Sequence, residues 1–242
     1  MKCCNGVKNN LGYAYTDWLR FNGVDYKWRK YRYEAGLPFV PLEKDIDLLI
    51  AGFNAKYTAF LQLLKEVGCS PLEAYRLTPK NFYLEKQQVS IDKPVKFHNA
   101  GEYRMSDRLT AMVTPLVRNG DFDEPVWKAS YRQLTNYFYE VRKKTADKLK
   151  NPNLMRISLK TFRHWVGTTQ YHSTKDILHV QKVLRHKHIE STMVYTHLID
   201  FPEVDEFTSR VAETIEDARE LVEKGFDFVC DMNGVKLFRK RK

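Results

Sequence analysis

The chain has 242 residues, of which 43% are hydrophobic and 29% are charged, and its formal net charge is +10. This composition excludes a disordered tail and a collagen-like chain, and the length allows one large domain or two small domains with cores of their own. No apolar run reaches 18 residues and the first residues lack the apolar segment of a secretion signal, so the sequence predicts a cytoplasmic protein without membrane spans.

Positive charge is concentrated in the middle of the chain. Residues 51–200 carry 24 basic and 14 acidic side chains, which accounts for the whole surplus. The richest stretch, 125–163, has ten Lys and Arg residues against Glu140 and Asp147. A polyanion such as nucleic acid is the simplest partner for this block, and a solvated helix face is the alternative explanation of the same pattern.

The first part of the chain is rich in aromatic residues. Tyr15, Trp18 and Phe21 recur at three-residue spacing, which predicts the end of a short helix before a turn. Two prolines in residues 36–42 exclude a helix there and predict an extended linker. We therefore expect a boundary at this linker.

Helical patterns and two short strands are predicted after the linker. Apolar residues at helical spacing predict helix in residues 45–67, and Ser70-Pro71-Leu72-Glu73 has the N-cap, proline and acidic residue of a helix start. Strands are expected at 82–93 and 103–106, around a loop that contains Asn99-Ala100-Gly101. Further helices are expected at about 107–117, 130–150, 158–172, 175–185 and 189–198.

The C-terminal part, 201–242, is expected to form a helix and a hairpin. The helix is predicted at about 203–224, and the hairpin strands at 226–230 and 235–238, with Asn233-Gly234 as the turn. Together, the elements predict an α+β fold that is mainly α with a small antiparallel β-sheet.

Several side chains in the basic region are suited to phosphate chemistry. Lys160 and Arg163 are three residues apart and share a helix face, where an ammonium and a guanidinium can cradle a phosphate. Tyr195 follows His186 closely, and a tyrosine hydroxyl beside such cations can attack phosphorus. Each residue alone is also typical of an ordinary surface or core position. His186 and His188 diverge on a helix and have no third ligand at a suitable spacing, so no metal site is predicted.

The combination resembles the catalytic domain of the tyrosine recombinase (phage integrase) family, in particular its archaeal integrase-like members. The family's second box, H/K-x-x-R, is matched by Lys160 and Arg163. Its third box, L-G-H/W, is matched by Leu184-Arg185-His186, and the nucleophilic tyrosine nine residues after the histidine is matched by Tyr195. Segments 161–178 and 230–234 look like the archaeal members, and the resemblance extends over about 38–242.

The first box of the family, G-x-R-x-x-E, is matched only in part. Gly68 and Glu73 fit, whereas Ser70 occupies the position of the arginine. The family also has a lysine in the loop between two strands, for which Lys96 is the best match and Lys93 the alternative. The first box therefore lacks a cation that the family's chemistry uses.

The resemblance implies cleavage of duplex DNA without a metal or other cofactor. Tyr195 would form a 3′-phosphotyrosine, Lys96 would protonate the leaving 5′-oxygen, and Arg163, His186 and Lys160 would stabilise the transition state. It also implies a homo-oligomer, expected to be a tetramer on DNA and a monomer or dimer when free. Further DNA contacts are expected from Lys93, Arg104, Arg142, Lys143, Lys144, His164, Arg185 and Lys187.

Two functions remain open at this point. Losing one preorganised donor costs about 3–4 kcal/mol, or about 10²–10³ in rate, so Ser70 predicts slow cleavage. The chain is then either an impaired recombinase or an inactive relative that occupies or regulates a recombination site. An RNA-binding protein would need an aromatic platform on a sheet, for which the strands are too short. The expected domains are a short N-terminal segment, 1–37, as a remnant of a core-binding domain, a catalytic domain, 38–200, and the tail, 201–242.

Overall fold

A computed structural model describes residues 4–32, 36–95, 97–197, 207–212, 214–232 and 235–241. The chain divides into two units, Met1–Ile199 and Asp200–Lys242, which we describe separately. The first unit contains the helices α1 (Asn5–Phe21), α2 (Glu43–Ile50), α3 (Ala55–Val67), α4 (Pro71–Tyr75), α5 (Asp107–Arg118), α6 (Tyr131–Leu149), α7 (Leu159–Thr174), α8 (Ile177–Leu184) and α9 (Glu190–Met193), and the strands β1 (Phe82–Tyr83), β2 (Gln88–Ile91) and β3 (Gly101–Arg104). The predicted fold class, mainly helical with a small antiparallel sheet, is confirmed.

The N-terminal helix α1 is paired with the extended chain that follows it. The Asn9 side chain accepts a hydrogen bond from the backbone N–H of Tyr31 and donates one to its carbonyl, both at 2.8 Å. Trp28 packs on Gly12, where a Cβ atom would lie only 1.9 Å from the indole ring. The aromatic side chains that predicted this helix, Tyr15, Trp18 and Phe21, are exposed.

The core of the first unit is centred on α3. Almost every side chain in its second half is buried, and α3 packs against α5 and α7. Asn54 caps its N-terminus by accepting a hydrogen bond from the N–H of Tyr57, and Gly68 ends it in the left-handed region with φ 64°. A Cβ atom at Gly68 would meet the Val166 side chain at 2.8 Å, so this position needs glycine for space as well as for φ.

The sheet of the first unit has the antiparallel order β1-β2-β3. Phe82 pairs with Val89, and Val89 pairs with Tyr103. The predicted single strand 82–93 is therefore wrong. A turn of 3₁₀ helix over Leu84–Lys86, followed by Gln87 at φ 51°, reverses the chain between β1 and β2.

The second unit holds the strands β4 (Phe207–Ala212), β5 (Asp227–Met232) and β6 (Val235–Arg241), in the antiparallel order β4-β6-β5, and the helix α10 (Ile215–Glu223). The predicted hairpin strands are confirmed, and its Asn233-Gly234 turn lies outside the described residues. The predicted helix 203–224 is wrong at residues 207–212, and residues 203–206 lie outside the described part of the chain. Residues 207–212 pair along β6, and the helix begins only after Thr214, whose side chain caps it.

Among the helices that the structure describes, none is both long and apolar enough to cross a membrane.

Candidate active site

A cavity of about 510 Å³ opens between the start of α4, one face of α6, the first turns of α7 and the chain after α8. Five residues at the predicted catalytic positions line it: Lys160, Arg163, His186, Tyr195 and Ser70, which occupies the position of the first-box arginine. The structure thus brings together side chains that are up to 125 positions apart in the sequence. The other lining residues are Pro71, His98, Tyr131, Thr135, Tyr139, Ser158, Leu159, His164 and Ser191.

The two cations of the second box are placed by the start of α7. Ser158 and Thr161 form a capping box there, with the N–H of Ser158 donating to Thr161 Oγ1 at 3.0 Å. Lys160 is exposed in the first turn, whereas Arg163, one turn further, is buried. The pair therefore presents one exposed and one buried positive charge to the cavity.

Arg163 is held by three hydrogen bonds. Its Nη1 donates to the carbonyl of Gly68 at 2.7 Å, and its Nη2 donates to the carbonyl of Leu184 at 2.5 Å and to His98 Nε2 at 3.1 Å. Burial lowers the pKa of Arg163, and its electrostatic interaction with Tyr195 raises it. Because arginine stays charged even so, the cavity keeps a rigid guanidinium.

Glu73 is the buried acceptor beneath the cavity. Its Oε1 accepts from His98 Nδ1 at 2.8 Å and from the N–H of Val95, and its Oε2 accepts from Arg185 Nη2 at 2.7 Å and from the N–H of Ser70. Burial by itself raises the pKa of Glu73, but these hydrogen bonds and the charge of Arg185 lower it to about 2. The carboxylate is therefore ionised and satisfied on both oxygens.

Arg185 is a structural partner of this carboxylate, which corrects its prediction as a DNA contact. Its side chain is 5% exposed, and besides Glu73 it donates to the hydroxyl of Tyr103 and the carbonyl of Asn99, both at 2.7 Å. It passes over Gly101, where a Cβ atom would lie 2.8 Å from Arg185 Cδ. A guanidinium with these three partners is not available to a phosphate outside the protein.

His186 follows the left-handed residue Arg185, at φ 58°, which ends α8 and redirects the chain. Its Nδ1 shares a hydrogen bond of 2.9 Å with the hydroxyl of the fully buried Thr192. Burial, together with the nearby Arg163 and His98, lowers the pKa of His186 to about 3. The imidazole is therefore neutral near pH 7 and fixed in orientation through one nitrogen.

Tyr195 is 2% exposed although it lines the cavity. Its hydroxyl shares a hydrogen bond of 3.2 Å with His164 Nδ1, and its ring packs on Gly167 of α7. Burial raises the pKa of Tyr195 to about 12, against the opposite effect of Arg163. Burial, Lys160 and Arg163 lower the pKa of His164 to about 4. His164, predicted as a DNA contact, is therefore a neutral partner of the tyrosine.

The remaining predicted residues that the structure describes lie outside the cavity. Arg142 donates to the carbonyl of Ile157 at 2.6 Å and lies against the Tyr139 ring, so part of its guanidinium is bound within the fold, and its role as a DNA contact stays a prediction. Lys96 lies outside the described residues. The other predicted DNA contacts are exposed: Lys93, Arg104, Lys143, Lys144 and Lys187.

Two features of the cavity were not predicted from the sequence. Tyr131, Thr135 and Tyr139 line it from one face of α6, and their spacing of four residues within the predicted helix is a signal that sequence reasoning could have used. His98 has no such signal, because it comes from an irregular loop and lies beside His186 only through tertiary pairing.

These features, a helical fold with a small sheet and a tyrosine beside basic residues in one cavity, define the class of the tyrosine recombinases. A model described as the phage integrase family matches residues 43–200. The chain therefore belongs to the phage integrase family. No curated protein matches it in sequence.

Solved structures with the same fold are integrases and recombinases. The XerA recombinase is 14% identical with a TM-score of 0.55, over 92% of this chain and 76% of its own. The Tn1549 transposon integrase in complex with transposon right end DNA is 15% identical with a TM-score of 0.59, over 91% of this chain and 78% of its own. The XerH site-specific recombinase bound to its difH substrate is 17% identical with a TM-score of 0.56, over 80% of this chain and 62% of its own. At these identities the similarity establishes the fold.

Proposed function

We propose that this chain is a site-specific DNA recombinase that cleaves and rejoins duplex DNA through a 3′-phosphotyrosine intermediate. The observation that carries the proposal is the convergence of Tyr195, Arg163, His186 and Lys160 on one cavity. Family membership and the DNA-bound structures of similar fold support duplex DNA as the partner.

The reaction exchanges one phosphodiester for another. As the oxygen of Tyr195 forms a bond to phosphorus, its proton passes to His164 Nδ1, with which the hydroxyl shares a hydrogen bond. The bond from phosphorus to the 5′-oxygen breaks, and that oxygen takes a proton from Lys96. Arg163, His186 and Lys160 stabilise the charge that develops on the phosphoryl oxygens. A 5′-hydroxyl from another strand reverses the step, so the exchange needs no nucleotide or metal.

Ser70 makes the proposed activity slow. It lines the cavity with a hydroxyl where the family has an arginine. Arg185 does not replace the missing charge, because its donors are bound to Glu73, Tyr103 and Asn99. We expect cleavage to be about 10²–10³ slower than with a second cavity arginine.

A catalytically inactive DNA-binding relative is the second candidate function, and Ser70 is the observation that favours it. Such a protein would keep the exposed lysines that contact DNA and would occupy or regulate a recombination site.

For the active enzyme we propose a tetramer on two duplexes, since strand exchange needs four cleavages. We also propose that the chain is divided into three parts: a short N-terminal segment, 1–37, a catalytic domain, 38–200, and a C-terminal tail, 201–242.

The proposal can be tested without knowledge of the target site. A pool of nicked duplexes with randomised sequence is incubated with the protein, and DNA that stays attached under denaturing conditions is recovered and sequenced. The nick releases the leaving strand, which prevents religation and traps the covalent complex. We expect recovery of related sequences by the wild type and by Ser70→Arg, and none by Tyr195→Phe.

Duplex retention by Tyr195→Phe in a non-denaturing gel shift is the matched control for binding. If neither the wild type nor Ser70→Arg retains DNA covalently, recombinase activity is ruled out. Non-covalent binding that persists in that case supports the inactive DNA-binding relative instead.

A further inference from the structure

We propose that His98 is a positioning residue that holds the Arg163 guanidinium in the cavity by linking it to the buried carboxylate of Glu73. The inference rests on the proposed function, because the position of Arg163 matters for a reaction at phosphorus. His98 is not part of the boxes that carry the resemblance to the family, and no sequence signal pointed to it.

The hydrogen-bond partners of His98 determine which of its ring nitrogens donates and which accepts. Arg163 Nη2 can only donate, so His98 Nε2, at 3.1 Å, must accept. The proton of the ring is then on Nδ1, which donates to Glu73 Oε1 at 2.8 Å. A neutral imidazole with one defined tautomer thus connects a buried anion to the cavity arginine, as a carboxylate orients histidine ligands in metal sites.

The backbone around His98 is attached to the chain that carries His186. The N–H of Lys187 donates to the carbonyl of Phe97, and the N–H of Asn99 donates to the carbonyl of Arg185, both at 2.9 Å. These two bonds form an isolated antiparallel bridge between His98 and His186. These backbone hydrogen bonds hold the segment that carries His98 in place, and so they position its ring against Arg163.

His98 gives the Arg163 guanidinium a side-chain hydrogen-bond partner in addition to its backbone partners. Gly68 and Leu184 bind the guanidinium through carbonyl oxygens, and His98 is the side chain that binds it among the described residues. Arg163 is also the only arginine among the described residues that line the cavity, since Ser70 stands in the first box. If this guanidinium is displaced, no second arginine of these lining residues can take its place. Misplacement of a catalytic group by about 1 Å can cost about 10²-fold in rate.

The test compares three substitutions. His98→Ala removes both hydrogen bonds, and His98→Gln keeps a side-chain amide that can donate to Glu73 and accept from Arg163. His188→Ala is the matched control, because His188 is exposed and lies against the Phe97 ring in the same region. For each, the rate of covalent complex formation and the dissociation constant are measured on a nicked duplex recovered from the randomised pool.

We expect His98→Ala to form the covalent complex about 10–100 times more slowly, with a dissociation constant within about threefold of the wild type. His98→Gln should recover at least tenfold of this loss, and His188→Ala should behave as the wild type. Equal losses of rate, DNA affinity and melting temperature in both His98 variants would mean that the histidine only supports the fold, and would overturn the proposal.

A second readout does not depend on cleavage. In ¹⁵N-edited NMR, the Nε–H signal of Arg163, assigned by its loss in Arg163→Lys, should exchange with water at least tenfold faster in His98→Ala than in the wild type. An unchanged signal overturns the positioning role even if DNA is cleaved. If no variant cleaves DNA, the proposed function fails, and the arginine signal alone decides the role of His98.

Discussion

The hydroxyl of Tyr195 lies 3.2 Å from His164 Nδ1, and the tyrosine ring rests on the bare backbone of Gly167. This arrangement keeps the proposed nucleophile protonated and almost fully buried. To reach a phosphate, the phenol must leave this contact or the phosphate must enter the cavity beside it. The buried position of Tyr195 is therefore the first feature to test.

Replacing Gly167 by alanine should expel the Tyr195 ring. A Cβ atom at this position would lie 2.6 to 2.9 Å from three ring atoms, which is closer than packed atoms allow. We expect higher reactivity of Tyr195 in hydroxyl-radical footprinting and a loss of about 1–3 kcal/mol of stability. Gly36→Ala, where no atom lies within 4 Å, is the control. Unchanged labelling of Tyr195 in Gly167→Ala would contradict the packing described here.

Removing the partner of the buried carboxylate should destabilise the fold. Arg185→Met leaves Glu73, which is 1% exposed, without its arginine, and breaking a buried pair costs about 3–5 kcal/mol. Urea unfolding monitored by circular dichroism gives this loss directly. Lys187→Met, two residues on and exposed, should change the free energy of unfolding by less than about 0.5 kcal/mol. Similar losses for the two variants would exclude a special role for Arg185.

Two histidines should make the stability fall as the pH is lowered. The pKa values of His164 and His186 are about 4 and about 3 in the folded protein, below the value of 6.5 expected when unfolded. Between these values the unfolded chain binds more protons, so the stabilisation is complete above pH 6.5 and decreases towards pH 4. Each histidine contributes a slope of at most about 1.4 kcal/mol per pH unit.

The pH dependence can be assigned to these residues with His164→Gln and His186→Asn. Urea unfolding at several pH values between 7 and 4.5 should show a shallower slope in each variant and the shallowest slope in the double variant. Glu73 does not interfere in this window, because its pKa of about 2 moves its contribution to the range below about 4.5. A double variant with the wild-type slope would show that other groups cause the dependence.

Introducing the missing cation should accelerate cleavage. Ser70→Arg adds a guanidinium at the wall of the cavity, and one preorganised donor contributes about 10²–10³ in rate. The measurement is the single-turnover rate of covalent complex formation on a nicked duplex. Ser173→Arg adds the same charge at an exposed position outside the cavity and should change binding alone. If both variants accelerate cleavage equally, the effect of Ser70 is one of net charge.

The sequence was sufficient for most of the helices and for the five cavity residues that the family boxes and the tyrosine spacing provide. The helices α5 to α8 each begin at a capping residue that the sequence shows, and Lys160, Arg163 and Tyr195 follow from spacing that is specific to the family. The strand β4 was predicted as helix because Val211 and Ile215 also fit helical spacing, and only pairing with β6 selects the extended form. Such pairing is tertiary and leaves no local signal.

The hydrogen bonds that join Glu73 to Arg185 and His98 beneath the cavity could not be predicted from the sequence for the same reason. Arg185 begins the basic run Arg185-His186-Lys187-His188, which is typical of an exposed DNA contact. Its burial depends on Glu73, which is 112 residues away, and on the bare backbone at Gly101. His98 reaches Arg163 only because the loop around it pairs with residues 185–187.

Mass spectrometry of the DNA-linked protein tests the central claim most directly. After digestion with trypsin and nuclease, residues 188–210 form one peptide that contains Tyr195 as its sole tyrosine. We predict that this peptide carries a nucleotide remnant on Tyr195 in the wild type and, in higher yield, in Ser70→Arg. A remnant on another residue, or none in either protein, would contradict the account.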